Sequence, residues 1–166
     1  QLKLWSAACS TGQEAVSLAI SINEALGKPG ADHLVQAQIV GTDVSVAAVA
    51  RAKEGIYGDL EIRRGVTPEI RRRYFQEVEG GWKPLPGILR MIRYREMNIL
   101  EPDFPLPQFD VVLCRNVLIY FEAKEKKRAL DHIHQRMKDD AYLLTGAGEE
   151  PHRVHSGFAQ ERVAGL

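Results

Sequence analysis

Cysteine is scarce in this chain: its 166 residues include two, Cys9 and Cys114. They lie far apart, with no Cys or His at metal-ligand spacing, so no disulfide framework, zinc site or other metal is expected. Both read as small buried residues rather than nucleophiles, and a reducing cytoplasm suits such usage. An excess of one charge is lacking too. Lys and Arg total 22 against 22 Asp and Glu, so the global charge predicts neither nucleic acid nor an anionic membrane as partner. No apolar run is long enough to span a bilayer, and no charged-then-apolar leader opens the chain. Repeats and low-complexity segments are also missing. A hydrophobic content of 45% over this length supports one domain with a single core and a small insertion. The sequence starts at Gln1, almost directly in a strand, which sets the expectation of further sequence upstream.

Apolar runs of strand length alternate with segments of helical period, the pattern of a parallel sheet covered by helices. Strands are predicted at Leu2–Ala7, Gln38–Thr42, Ile92–Asn98, Phe109–Arg115 and Ala141–Thr145, with helices at Gln13–Leu26, Ser45–Glu54 and Glu122–Met137. The first helix places Ala15, Leu18, Ala19 and Ile22 on one face. Gly27 and Gly55 are placed to stop helices, because glycine enters the left-handed conformation without steric cost. From Gly55 to Arg90 the alternation breaks. That stretch predicts one short helix, with Thr67 as cap and Pro68 in its first turn, followed by the turn-rich EGGWKPLPG, and it reads as an inserted subdomain at about 56–91.

Strands of a parallel sheet all end at one edge, so the residues that follow them converge there. After the first strand come Ala8, Ser10, Thr11, Gly12 and Glu14. Asp43 follows the second, Asn98 the third, and Arg115 and Asn116 the fourth. This set offers hydrogen-bonding groups suited to an adenosine. Asp43 is placed to accept from a ribose diol, although an Asp ahead of a helix also serves its N-terminus. Asn98 carries the donor and acceptor needed to read an adenine edge, with Ile99 against the ring face, or it forms a turn after its strand. The first loop has a single glycine, Gly12, where a dinucleotide fingerprint has three so that the backbone approaches a pyrophosphate. A ligand without pyrophosphate fits better, and S-adenosylmethionine is one.

The motifs WSAACSTGQE, GTDVS, MNIL and above all FDVVLCRNVLIYFE resemble those of the CheR-type chemotaxis receptor methyltransferases, from Leu4 to about Gly146. The resemblance implies an α/β, class I (Rossmann-like) methyltransferase fold with a small inserted β-subdomain, and S-adenosylmethionine as methyl donor with S-adenosylhomocysteine as product. It implies a glutamate side chain as acceptor, on the cytoplasmic helices of chemoreceptors. By position the family's cofactor contacts fall on Ala8, Glu14, Asp43, Asn98, Ile99, Cys114 and Arg115, with Asn116 beside them. The family tyrosine near the transferred methyl falls on Tyr120, which spacing alone reads equally as an aromatic packed under the next helix. Tyr120 and Arg115 are the candidates to orient the acceptor.

Departures from the family pattern are specific. Its upstream helical domain, which supplies an arginine near the centre, and its closing strand have no counterpart in this sequence. Gln13 and Ala15-Val16 replace Glu and Pro-Tyr, and Gly146-Ala147-Gly148-Glu149 stands where the family has a pattern close to GHSE. The insertion carries many arginines, among them Arg63, Arg64, Arg71, Arg72 and Arg73; most read as a solvated face, and a basic surface that steers acidic helices is the other reading. Between Tyr74 and Asn98 the chain is shorter than in members that tether a receptor's terminal peptide, so no tethering is expected. Two alternatives stay open: a non-catalytic module that binds the cofactor, and a methyltransferase of the same fold with another substrate.

Overall fold

The computed structural model describes residues 1–25, 37–101 and 105–161. Five strands form one parallel sheet: β1 (Leu2–Ala7), β2 (Ala37–Asp43), β5 (Ile92–Glu96), β6 (Phe109–Cys114) and β7 (Met137–Thr145), with β3 (Phe75–Val78) and β4 (Gly81–Pro84) making a separate antiparallel hairpin. Their order across the sheet is β5-β2-β1-β6-β7. Sequence order therefore reverses between β1 and β6, and in such sheets the crevice above that switch point is where ligands bind.

Period-two alternation divides the core between the two faces. Leu4, Ile39 and Ile92 face one side with Ala15, Val16, Ala19 and Ile20 of helix α1 (Gln13–Ala25). Trp5, Val40 and Val112 face the other, with Ala129, Leu130 and Ile133 of helix α6 (Ala123–Gln135). Trp5 stacks on Phe109 with ring centroids 5.5 Å apart and donates its indole N–H to Thr42 Oγ1 at 2.8 Å. A buried indole without that acceptor would leave an unpaired donor. Burial along α1 turns slightly from expectation: Val16, Ile20 and Asn23 join Ala15 and Ala19 inside, and Leu18 and Ile22 are only partly buried.

Helix α2 (Val46–Glu54) starts at Ser45, whose hydroxyl accepts the Ala48 N–H at 3.2 Å, and stops at Gly55 with φ 63°. The predicted end of α1 at Leu26 and its stop at Gly27 lie outside the described residues. β5 ends at Glu96 and β6 at Cys114, each short of its predicted end, because Asn98 and Arg115 belong to the turns that follow. β7 starts four residues before its predicted Ala141. The pairing with β6 shifts register between Phe109–Met137 and Val111–Tyr142, and the polar run Lys138–Asp140 hides that strand start in the sequence; Lys138 pairs with Asp110.

Between α2 and β5 the single expected helix becomes three: α3 (Asp59–Gly65), α4 (Pro68–Tyr74) and α5 (Pro86–Arg90). Segments of five to seven residues are too short to show a 3.6-residue period. Thr67 caps α4 as read, with Oγ1 accepting from Ile70 N at 3.3 Å. Tyr57 and Trp82 exchange backbone hydrogen bonds at 2.9 Å, tying the hairpin to the chain that leaves α2. Arg71 lies over Trp82 at 4.4 Å, whereas Arg63, Arg64, Arg72 and Arg73 are exposed.

Candidate functional site

Strained backbone gathers at the switch point. Among the described residues three non-glycines have positive φ: Ala8 (56°) and Ser10 (50°) after β1, and Asn116 (58°) after β6. Outside glycine and, to a degree, asparagine, this conformation costs about 1–2 kcal/mol per residue, and it persists only where the surroundings over-determine it. Here they do. Cys9 N–H is held by Thr42 O at 2.8 Å, Ser10 N–H by Asp43 Oδ2 at 2.8 Å, and Gly12 N–H by Cys9 O at 3.0 Å.

These bonds bear on what the first loop holds. A phosphate-binding loop directs its amides at the ligand, but the amides of Cys9, Ser10 and Gly12 are engaged within the fold. Gly12 is small for a different reason from the one its sequence suggests. A Cβ there would lie 2.6 Å from the Tyr94 hydroxyl oxygen and 3.0 Å from Ala52 Cβ, at φ 93°. The loop rests on two tyrosines: Tyr57 donates to Thr11 O at 3.3 Å and Tyr94 to Gly12 O at 3.2 Å. Burial pushes the Tyr57 hydroxyl up to about 12, with Glu61 adding to the effect, and raises Tyr94 further. Both act as neutral donors.

Asp43 takes one backbone N–H on each oxygen, Ser10 on Oδ2 and Ser45 on Oδ1, the latter at 2.9 Å. Each oxygen keeps a second lone pair, and the residue is half-buried. Glu14 accepts from Ser6 Oγ at 2.7 Å and meets Arg115 at 3.4 Å. Asn98 closes a turn, its Oδ1 accepting from Leu100 N at 3.0 Å, while its amide nitrogen lies 3.5 Å from Glu101. Ile99 is buried, and its carbonyl meets His132 Nδ1 at 2.9 Å. Cys114 is fully buried and Cys9 nearly so; burial is the first cause that pushes both thiols up to about 12. Tyr120 is 80% exposed, which removes the reading that packs it under α6.

One residue of this edge was not singled out in the sequence. Glu149 is buried, and its carboxylate accepts from Gly146 N at 2.7 Å, Asn116 N at 2.8 Å, Val117 N at 3.0 Å and Ile119 N at 3.3 Å. The signal lay in the segment Gly146–Glu149, which keeps the glutamate of the family pattern while differing before it.

The sequence model of the family "CheR methyltransferase, SAM binding domain" matches residues 1–163. The chain belongs to this family. Among its curated relatives, chemotaxis protein methyltransferase Cher2 of Pseudomonas putida is 41% identical over 150 residues, covering 90% of this chain and 54% of the relative. Chemotaxis protein methyltransferase 1 of Pseudomonas aeruginosa is 42% identical over 151 residues, covering 90% and 55%. The chain thus spans about half the length of these relatives. Solved structures agree on the fold alone. A TehB-like SAM-dependent methyltransferase from Corynebacterium glutamicum superposes with TM-score 0.52 at 16% identity, over 89% of this chain and 56% of that one. PKMT2 from Rickettsia typhi in complex with AdoHcy gives 0.53 at 13%, over 87% and 20%.

The donor set of this CheR-family edge fits an S-adenosyl ligand. It pairs a half-buried carboxylate with free lone pairs at the end of β2 with an acid in the first turn of α1 and an arginine just after β6. It also keeps its loop amides turned inward, so a pyrophosphate finds no cradle there. Two open hollows adjoin this edge or lie apart from it: one of about 200 Å³ is lined by Leu118, Ile119 and Glu149, and one of about 60 Å³ lies between α1 and α3. No helix among the described residues is long and apolar enough to cross a membrane.

Proposed function

We propose that the chain is the S-adenosylmethionine-binding domain of an enzyme that converts glutamate side chains on the cytoplasmic helices of chemoreceptors into methyl esters. The observation that carries this is the meeting, at one switch point, of three strained non-glycine residues with Asp43, Glu14 and Arg115. Asp43 holds the ribose diol. Asn98 and Ile99 flank the adenine, and Ala8, Ser10 and Asn116 form the walls of the crevice, with Gly12 and Cys114 buried behind them. Glu14 and Arg115 suit the ammonium and carboxylate of the methionine portion by charge.

The cofactor, when bound, supplies an electrophilic methyl group on a sulfonium. The acceptor needs no general base, since a glutamate with a reference pKa of about 4.3 is already ionised at neutral pH. The work of the protein is therefore alignment. A carboxylate oxygen must sit about 3–3.5 Å from the methyl carbon and in line with the bond that breaks, and such placement is worth roughly 7–11 kcal/mol in favourable cases. Tyr120, exposed beside the crevice, and Arg115 orient that carboxylate without transferring a proton. Residues 56–91 act as the inserted subdomain. The Tyr57–Trp82 bridge ties one edge of its hairpin to the chain that leaves α2, and recognition rests on the methylation helices rather than on a tethered terminal peptide.

Two measurements on the intact protein test this. Titration with S-adenosylmethionine, S-adenosylhomocysteine and NAD should show binding of the first two alone. Labelled methyl transferred to receptor should leave as volatile methanol on mild alkali treatment, because esters are base-labile and amides are not. Base-stable label would point to nitrogen methylation and sink the glutamate reading, and binding without any transfer would favour a non-catalytic module.

A further inference from the structure

The Glu149 carboxylate collects four backbone N–H groups in two pairs: Gly146 and Asn116 on Oε2, Val117 and Ile119 on Oε1. Three of the four belong to the turn that runs from Arg115, at the end of β6, into the single helical turn Leu118–Tyr120. The local chain is shaped for this purpose. Thr145 Oγ1 donates to Glu149 O at 3.0 Å, and Glu149 N–H returns to Gly146 O at 3.1 Å. A Cβ on Gly146 would sit 2.8 Å from Glu149 Oε2 and 3.0 Å from Asn116 N, so only glycine lets the carboxylate and the turn approach this closely. The bonds also hold Asn116 at φ 58°. A buried carboxylate is stable when its lone pairs are filled, and backbone N–H donors fill them with charge-assisted bonds.

We propose that Glu149 is the positioning residue of this site: it fixes the Asn116–Tyr120 turn and thereby the placement of Tyr120 over the crevice, without itself touching cofactor or acceptor. The proposal rests on the methyltransferase reading given above. Its role differs from that of Asp43, which ties the opposite wall and faces the ligand.

Glu149→Gln in the intact protein is the discriminating variant, because an amide keeps an acceptor for one pair of N–H groups and turns an NH2 toward the other. The expected result is a folded protein whose affinity for S-adenosylhomocysteine stays within threefold of the parent while turnover at saturating cofactor falls by about 100-fold, the scale of a misplacement of about 1 Å. Residue-resolved amide exchange should show faster exchange at one pair, Gly146 and Asn116 or Val117 and Ile119, with the sheet amides unchanged. Turnover within threefold of the parent overturns the proposal. So does a parallel loss of affinity and turnover, which would make Glu149 part of the cofactor wall. Should Glu149→Gln fail to fold, Glu149→Asp, which keeps the charge and shortens the reach, is read by the same criteria. The unmodified protein gives an independent check: amides of Asn116, Val117 and Gly146 that exchange like exposed ones overturn the bonding itself. Failure of the parent to bind S-adenosylhomocysteine instead overturns the underlying reading, and the exchange data tell the two failures apart.

Discussion

The carboxylate of Asp43 accepts the Ser10 N–H at 2.8 Å, linking residues 33 apart in sequence and joining the ends of β2 and β1. Its other oxygen accepts the Ser45 N–H at the start of α2. One side chain thus holds the strained first loop, orders a helix start and retains lone pairs for a ligand. Asp43→Ala should weaken S-adenosylhomocysteine binding by about 1.5–3 kcal/mol, the range for hydrogen bonds to a charged group. Asp43→Asn, which keeps one acceptor for Ser10, should lose less. Calorimetry on both variants checks this, and an unchanged affinity for the alanine variant removes Asp43 from the site.

The first loop also depends on the floor beneath it. A Cβ on Gly41 of β2 would lie 2.6 Å from Tyr94 Cδ1 and 3.1 Å from Cys9 Sγ. Tyr94 cannot retreat without releasing Gly12 O. Gly41→Ala should therefore destabilise the protein by about 1–3 kcal/mol, as overpacking does, and weaken cofactor binding as well. Tyr94→Phe, which removes only the donor, should cost about 0.5–1.5 kcal/mol. Urea midpoints for the two variants test the ordering. A Gly41→Ala protein as stable as the parent would show that the ring is free to move.

Much of this was legible in the sequence for definable reasons. The five strands and the helices α1, α2 and α6 are long enough for their periods to register, and Ser45, Gly55 and Thr67 mark helix ends through chemistry local to each residue. The edge residues followed from topology, since any parallel sheet brings its strand ends together. The three short helices of the insertion carried no period. Glu149 stayed hidden because its partners are backbone amides, three of them 30 to 33 residues away, which leave no side-chain signature. Gly12 was seen, but its cause lies in Tyr94, 82 residues on.

The two thiols give a pH test. In the folded chain burial pushes Cys9 and Cys114 up to about 12 from an ordinary 9.0, with Asp43 and Glu14 adding at Cys9, and Glu149 and Glu14 at Cys114. The folded state thus keeps protons that the unfolded state releases. Their contribution to stability is fully present below about pH 9 and is lost as pH rises from there through about 12. Tyr57 and Tyr74 shift in the same direction, so the thiol share is isolated by comparing the parent with a Cys9→Ala, Cys114→Ala variant between pH 7 and 10. The variant should lose less stability over that range. At pH 8 native protein should be inert to a disulfide reagent and unfolded protein should react at two thiols; rapid native reaction would contradict the burial.

Tyr120 is the most exposed of the apolar side chains at this edge, at 80%, and its backbone is set independently of its ring, with N–H donated to Val117 O at 3.1 Å. The ring therefore contributes little to folding. Tyr120→Phe should leave stability within about 0.5 kcal/mol, as surface substitutions do, and should leave S-adenosylhomocysteine affinity within twofold. Turnover is where the hydroxyl should count. If it orients the acceptor carboxylate, its loss should lower turnover by about tenfold or more, tenfold being near the lower end of the worth of a hydrogen bond to a charged group. Tyr120→Ala, which also removes the ring, should lower it further with the same melting temperature. Steady-state kinetics with receptor as acceptor, alongside thermal melts, decides between these roles. Full turnover in the phenylalanine variant would leave only the ring in play, and full turnover in the alanine variant would place Tyr120 outside the site and leave Arg115 as the remaining side chain to orient the acceptor.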